Sequence, residues 1–135
     1  MATIHIQKTY PVPRSQLWQW LTTDDKLSQW CMTSKGFVLR DGNNFVFESK
    51  PNLFWGGVFK NHLTDFELHK SISYDCLTDK PMLTTQVTWT LEDQGGQTLL
   101  TLEHSGFRWN QLLYKSLIEK GWTKMLTEHL YHKLS

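Results

Sequence analysis

Leu83–Phe107 reads LTTQVTWTLEDQGGQTLLTLEHSGF. Val87, Trp89 and Leu91 alternate with Thr88, Thr90 and Glu92, and that period of two belongs to a strand. Glu92-Asp93-Gln94-Gly95-Gly96-Gln97 is a turn whose paired glycines supply the positive φ that a tight reversal needs. The return strand sets Leu100, Leu102 and His104 on one face and Leu99, Thr101 and Glu103 on the other. One hairpin is marginal in water, so this pair requires more strands or a helix over its apolar face.

Working outward, the chain supplies both. Thr3–Tyr10 alternates, with Ile4 and Ile6 on one face, and ends before Pro11. Arg14–Leu21 carries Leu17, Trp18 and Leu21 at helical spacing. Thr22-Thr23-Asp24 stops that helix and opens a second, with Asp24 or Thr23 expected to accept its first amides; Leu27 and Trp30 point inward. Further strands are predicted over Lys35–Arg40, Phe45–Glu48, Trp55–Leu63 and from Phe66 through Tyr74. Asp41–Asn44, Thr64-Asp65 and Asp79–Pro81 are the turns and loops between them, and Gly56-Gly57 marks a bulge. After Gly106 the period changes: Leu113, Leu117, Ile118, Trp122, Met125, Leu126, Leu130 and Leu134 recur every three or four residues. That is a long helix, firmest over Ser116–Lys133. Gly121 lies inside it at a cost of about 1 kcal/mol against Ala, which predicts close approach by a neighbouring strand or ring. The order is strand, two short helices, six strands and a long helix. Short turns make consecutive strands antiparallel. A curved sheet of six or seven strands around one long helix is an α+β helix-grip fold in a single domain, residues 1–135.

Composition excludes several functions. The formal net charge of +1 provides no field for nucleic acid or an anionic membrane. Cys31 and Cys76 are the only cysteines and stand outside any CxxC pattern, so two free thiols in a reducing compartment are expected. The N-terminus has no basic start followed by an apolar run, and no stretch approaches the length of a membrane span; a cytoplasmic location is expected. The excess is in aromatic residues, with seven Trp, seven Phe and four Tyr. Such rings either fill a core to ordinary density or line a partly hollow interior suited to an apolar ligand.

Four motifs in fixed order now carry a resemblance. They are Val12-Pro13 through Trp18 with Leu21-Thr22 and Trp30; Gly42–Phe47; Gly96–Phe107; and Gly121-Trp122 with Met125-Leu126 and Leu130. Together the chain resembles the START-like SRPBCC superfamily, and within it the heat-shock protein 90 ATPase activator homologue group. The resemblance implies the helix-grip fold. It also implies an apolar ligand (a lipid, sterol or polyketide-like molecule) held between the sheet and the last helix. As alternatives it implies a chaperone partner, or a cyclase or hydratase activity found elsewhere in the superfamily. A monomer or weak dimer is expected, without a cofactor.

The ligand-lining candidates follow from the inward positions. Trp18 and Trp30 come from the short helices, and Phe45, Phe47, Trp55, Tyr74 and Trp89 from the strands. Trp122 and Met125 come from the last helix. His104 and His129 add polar groups that could meet a polar ligand head, serve as acid–base groups, or meet each other; equally, each is a histidine satisfied by its surroundings. No metal spacing is present: His62 and His69 flank a turn without a third ligand, and His129 and His132 have no carboxylate motif beside them. Ser105-Gly106 is no nucleophile elbow, Cys31 reads as a small buried hydrophobe, and no glycine-rich phosphate loop occurs.

Overall fold

In a computed structural model of the chain, residues 2–50, 56–79 and 81–135 are described. Seven strands among them form one antiparallel, curved sheet: β1 (Ala2–Tyr10), β2 (Thr33–Lys35), β3 (Asn44–Glu48), β4 (Val58–Glu67), β5 (Ser71–Asp79), β6 (Met82–Asp93) and β7 (Thr98–Phe107). Their order is β1-β7-β6-β5-β4-β3-β2. The single crossover runs from β1 to β2 through α1 (Arg14–Thr22) and α2 (Asp24–Trp30). The β6–β7 hairpin pairs Val87 with His104 and Leu91 with Leu100, so the alternation seen in the sequence sets the buried face. Gly95 and Gly96 turn it at φ 69° and 92°.

Three local expectations need correction. The strand expected over Lys35–Arg40 is instead β2, Thr33–Lys35, followed by a loop. Side chains occupy the amides that a ladder would use: the Asp24 carboxylate accepts from Gly36 N (3.0 Å) and Phe37 N (3.1 Å), and Asn43 Oδ1 accepts from Val38 N (3.0 Å). Asp24 also accepts from Ser34 Oγ at 2.6 Å, so it is an anchor for this loop. Neither Asp24 nor Thr23 caps α2 with its side chain. Thr64-Asp65 is not a turn but a β-bulge, through which β4 continues to Glu67. Phe66 therefore belongs to β4, and the reversal falls at Leu68–Lys70 with His69 at φ 63°. The predicted start of that strand at Trp55 lies outside the described residues; β4 begins at Val58.

The C-terminal helix departs from regularity in a way the pattern did not suggest. It runs as α3 (Leu112–Lys124), a π-helical segment (Met125–Leu130) and α4 (Tyr131–Leu134). Its buried residues are Trp122, Leu126, Leu130 and Leu134, a spacing of four throughout. In an α-helix each such step overshoots the face by about 40°. The wider π turn takes that drift back and keeps all four residues on the sheet. Tyr10 Oη donates to the Leu126 carbonyl at 2.7 Å, partnering a backbone group inside the irregular segment. Leu113 and Leu117, expected on the inner face, stand 69% and 50% exposed. Gly121 was expected to admit a close neighbour, yet a Cβ there would meet nothing within 4 Å.

Because Asp24 satisfies two amides and a hydroxyl, Asp24→Ala should lower the unfolding free energy by about 2–4 kcal/mol in a denaturant melt. Thr23→Ala, which removes no cap bond, should stay within about 0.5 kcal/mol of the parent. Equal losses would refute the anchor.

Candidate functional site

The inner face of the sheet is mainly apolar, and a short row of buried groups crosses its middle. Asn61 on β4 pairs in register with Cys76 on β5, and Cys76 with Thr85 on β6. His104 on β7 completes it, and all four are buried. A directed chain of hydrogen bonds links three of them to the helix. The Trp122 indole can only donate, and it does so to His104 Nδ1 at 3.1 Å. The imidazole proton is thereby on Nε2, which donates to Thr85 Oγ1 at 2.8 Å. Thr85 in turn donates to the Cys76 carbonyl at 3.4 Å. Burial lowers the His104 pKa to about 4, so the ring is neutral near pH 7. Burial likewise pushes the Cys31 and Cys76 thiols up to about 12, which makes both poor nucleophiles; neither is in a disulfide.

Rings pack around this row edge to face, the arrangement their quadrupoles favour. Trp89 meets Trp122 at 5.3 Å and 84°, and Trp30 at 6.1 Å and 82°. Phe45 contacts Phe37, Phe47 and Tyr74. The buried indoles of Trp30 and Trp89 donate to Trp20 O and Tyr74 Oη, both at 2.8 Å. Trp18 packs edge-on against His69, and its Nε1 has no partner.

A cleft of about 580 Å³ opens on one flank of the C-terminal helix. Met32, Phe59, Ile118, Gly121, Trp122 and Met125 form much of its wall, with Lys124 and His129 among its lining. Of the eleven candidates, Trp122, Met125 and His129 meet here. Trp18, Trp30, Phe45, Phe47, Tyr74, Trp89 and His104 are buried, and none of them lines this cleft. Trp55 lies outside the described residues. His104 and His129 do not share a site: the first has both nitrogens engaged under Trp122, while the second is exposed. Sequence reasoning missed Met32, Phe59, Ile118 and the opening at Gly121. Ile118 and Gly121 were visible in the helical pattern; Met32 and Phe59 reach the cleft only through the fold. Among the described residues no three His, Cys, Asp or Glu side chains gather as a metal site requires, and no helix is long and apolar enough to cross a membrane.

Comparison with known proteins gives one family and a set of folds. The family model described as Activator of Hsp90 ATPase homolog 1-like protein matches residues 11–134. Protein MLL2253 from Mesorhizobium loti is 26% identical, with a TM-score of 0.84 over 93% of this chain and 91% of that one. The Aha1 dimer from Colwellia psychrerythraea is 21% identical, with a TM-score of 0.82 over 99% of this chain and 96% of that one. CalU16 from Micromonospora echinospora is 23% identical, with a TM-score of 0.78 over 96% and 71%. At these identities the last two report the fold alone. A search of curated proteins gives no match.

The buried imidazole makes a pH signature. Unfolded, His104 takes up a proton near pH 6.5; folded, only near 4. Its linked stability is therefore complete above pH 6.5 and is lost as pH falls toward 4, with about 2 kcal/mol gone by pH 5. His104→Gln keeps every other titratable group. Urea melts at pH 7 and pH 5 should show the parent losing about 2 kcal/mol more than the variant; equal losses would mean the ring is not held neutral.

Proposed function

The chain belongs to the Activator of Hsp90 ATPase homolog 1-like family, a START-like SRPBCC family, and on that premise we propose that it binds a small apolar or amphipathic molecule without transforming it. The ligand lies in the cleft between the sheet and the C-terminal helix. Trp122, Met125 and His129 line it from the helix, and the rings behind them form its inner support. The observation that carries this reading is Gly121. A glycine inside a helix sacrifices about 1 kcal/mol against Ala. Here no neighbour needs the space, and the missing side chain leaves the cleft open. An apolar wall with a few polar groups at its edge is the usual form of a small-molecule site.

A separate observation favours a second reading, an interaction module with the 90 kDa chaperone as partner. Trp109 is 84% exposed, and with Met82, Leu112, Leu113 and Leu117 it contributes large apolar side chains to the surface around the start of the C-terminal helix. Exposed apolar clusters of this kind commonly mark contact sites.

The first reading is tested at Gly121. Amide NMR titration of the wild type with flavonoids, sterols and fatty acids should give saturable shifts at Met32, Ile118 and Met125. Gly121→Phe should abolish them while leaving the fold intact, and Gly121→Ala should raise stability by about 1 kcal/mol. No shifts from any compound would sink this reading. For the second, the double variant Trp109→Ser, Leu113→Ser should keep its stability within about 1 kcal/mol yet lose chaperone from a low-salt pull-down. Failure of the wild type to recover chaperone would count against it.

A further inference from the structure

Asn61 is 2% exposed, and its carboxamide is nearly unsatisfied. Nδ2 reaches only the Phe59 carbonyl, at 3.4 Å, and Oδ1 has no hydrogen-bond partner. The amide cannot be turned over to cure this. Oδ1 would then face a carbonyl oxygen, acceptor against acceptor. The free atom is thus an acceptor, and leaving one buried is unfavourable.

Asn61 lies behind the cleft wall and is not among its lining; its strand connects the two. Phe59, the preceding inward residue of the same strand and about 7 Å away along it, lines the cleft. The other polar members of the row are occupied. His104 and Thr85 bond each other, and Thr85 also bonds the Cys76 carbonyl. Asn61 alone keeps an open valence.

We propose that Asn61 is the polar anchor of the ligand, accepting a hydrogen bond from a hydroxyl or N–H group on an otherwise apolar molecule that enters past Phe59. This rests on the cleft being a ligand site, and it narrows the class. A phenol, a sterol-like alcohol or a ring N–H satisfies Oδ1. An ionised carboxylate does not, since it would bring lone pairs and charge against an acceptor in an apolar setting. An unsatisfied group kept at a cost to stability is the trade expected of a binding residue.

The probes are 2-naphthol, which donates a hydrogen bond, and 2-methoxynaphthalene, which has the same ring and cannot. In amide NMR titrations the wild type should bind 2-naphthol about tenfold more tightly, the effect of one hydrogen bond to an otherwise orphaned acceptor. Asn61→Leu should reduce that preference to within about twofold and raise the melting temperature, since it removes the orphan. Equal binding of both probes by the wild type, or an undiminished preference in Asn61→Leu, overturns the anchor while leaving the cleft as a ligand site. Binding of neither probe at the cleft overturns the cleft reading and the anchor together. The wild-type comparison decides the matter even where the variant fails to fold.

Discussion

The donation from Trp122 to His104 fixes how the C-terminal helix sits on the sheet. It joins a group that can only donate to a ring whose other nitrogen is held by Thr85, so the helix has a defined rotation as well as a defined position. Tyr10 makes a second tie at Leu126, from the far end of β1. Apolar burial alone is non-directional and would tolerate a helix turned by several tens of degrees. These directed bonds do not. Once Trp122 faces the sheet, Gly121 and Met125 must face the flank, and the cleft follows from that rotation.

The same constraint accounts for the π segment. Trp122, Leu126, Leu130 and Leu134 are anchored to one face at a spacing that an α-helix cannot hold straight. Unwinding locally is the cheaper solution where a side chain is available to take a displaced carbonyl, and Tyr10 is in place to do so. Thr127 and Thr123 back-bond to Thr123 O and Glu119 O at 2.7 and 2.8 Å, a pattern that bends helices in the same region.

These features were unequally visible in the sequence. The β6–β7 hairpin was legible because its alternation is strict and its turn carries two glycines, and this placed His104 inward correctly. The helix pair after β1 and the number of strands were legible for similar reasons. The loop after β2 was not. Phe37 and Leu39 mimic a strand, and the competing bonds come from Asp24 and Asn43, which lie several residues away and carry no periodic signal. The Thr64 bulge resembles a turn because both use polar residues. Of the site, the helix-borne lining could be read from spacing. The wall from Met32 and Phe59, and the open valence at Asn61, depend on which strands lie side by side.

Family membership constrains this picture less than the geometry does. A helix-grip sheet serves many unrelated tasks, so function has to be argued from the site. In this chain the site divides into two chemically different parts. The row Thr85–His104–Trp122 is closed, with each polar group consumed by its neighbour. A closed network rigidifies and offers little to a guest. Beyond it lie an apolar cleft, a glycine where any side chain would intrude, and a carboxamide with an unused acceptor. Tight packing on one flank of the helix and open space on the other suit a molecule that must enter without unfolding its host. The pinned flank preserves the fold, and the free flank, where Leu117 remains exposed at the cleft, is where the proposed ligand would enter.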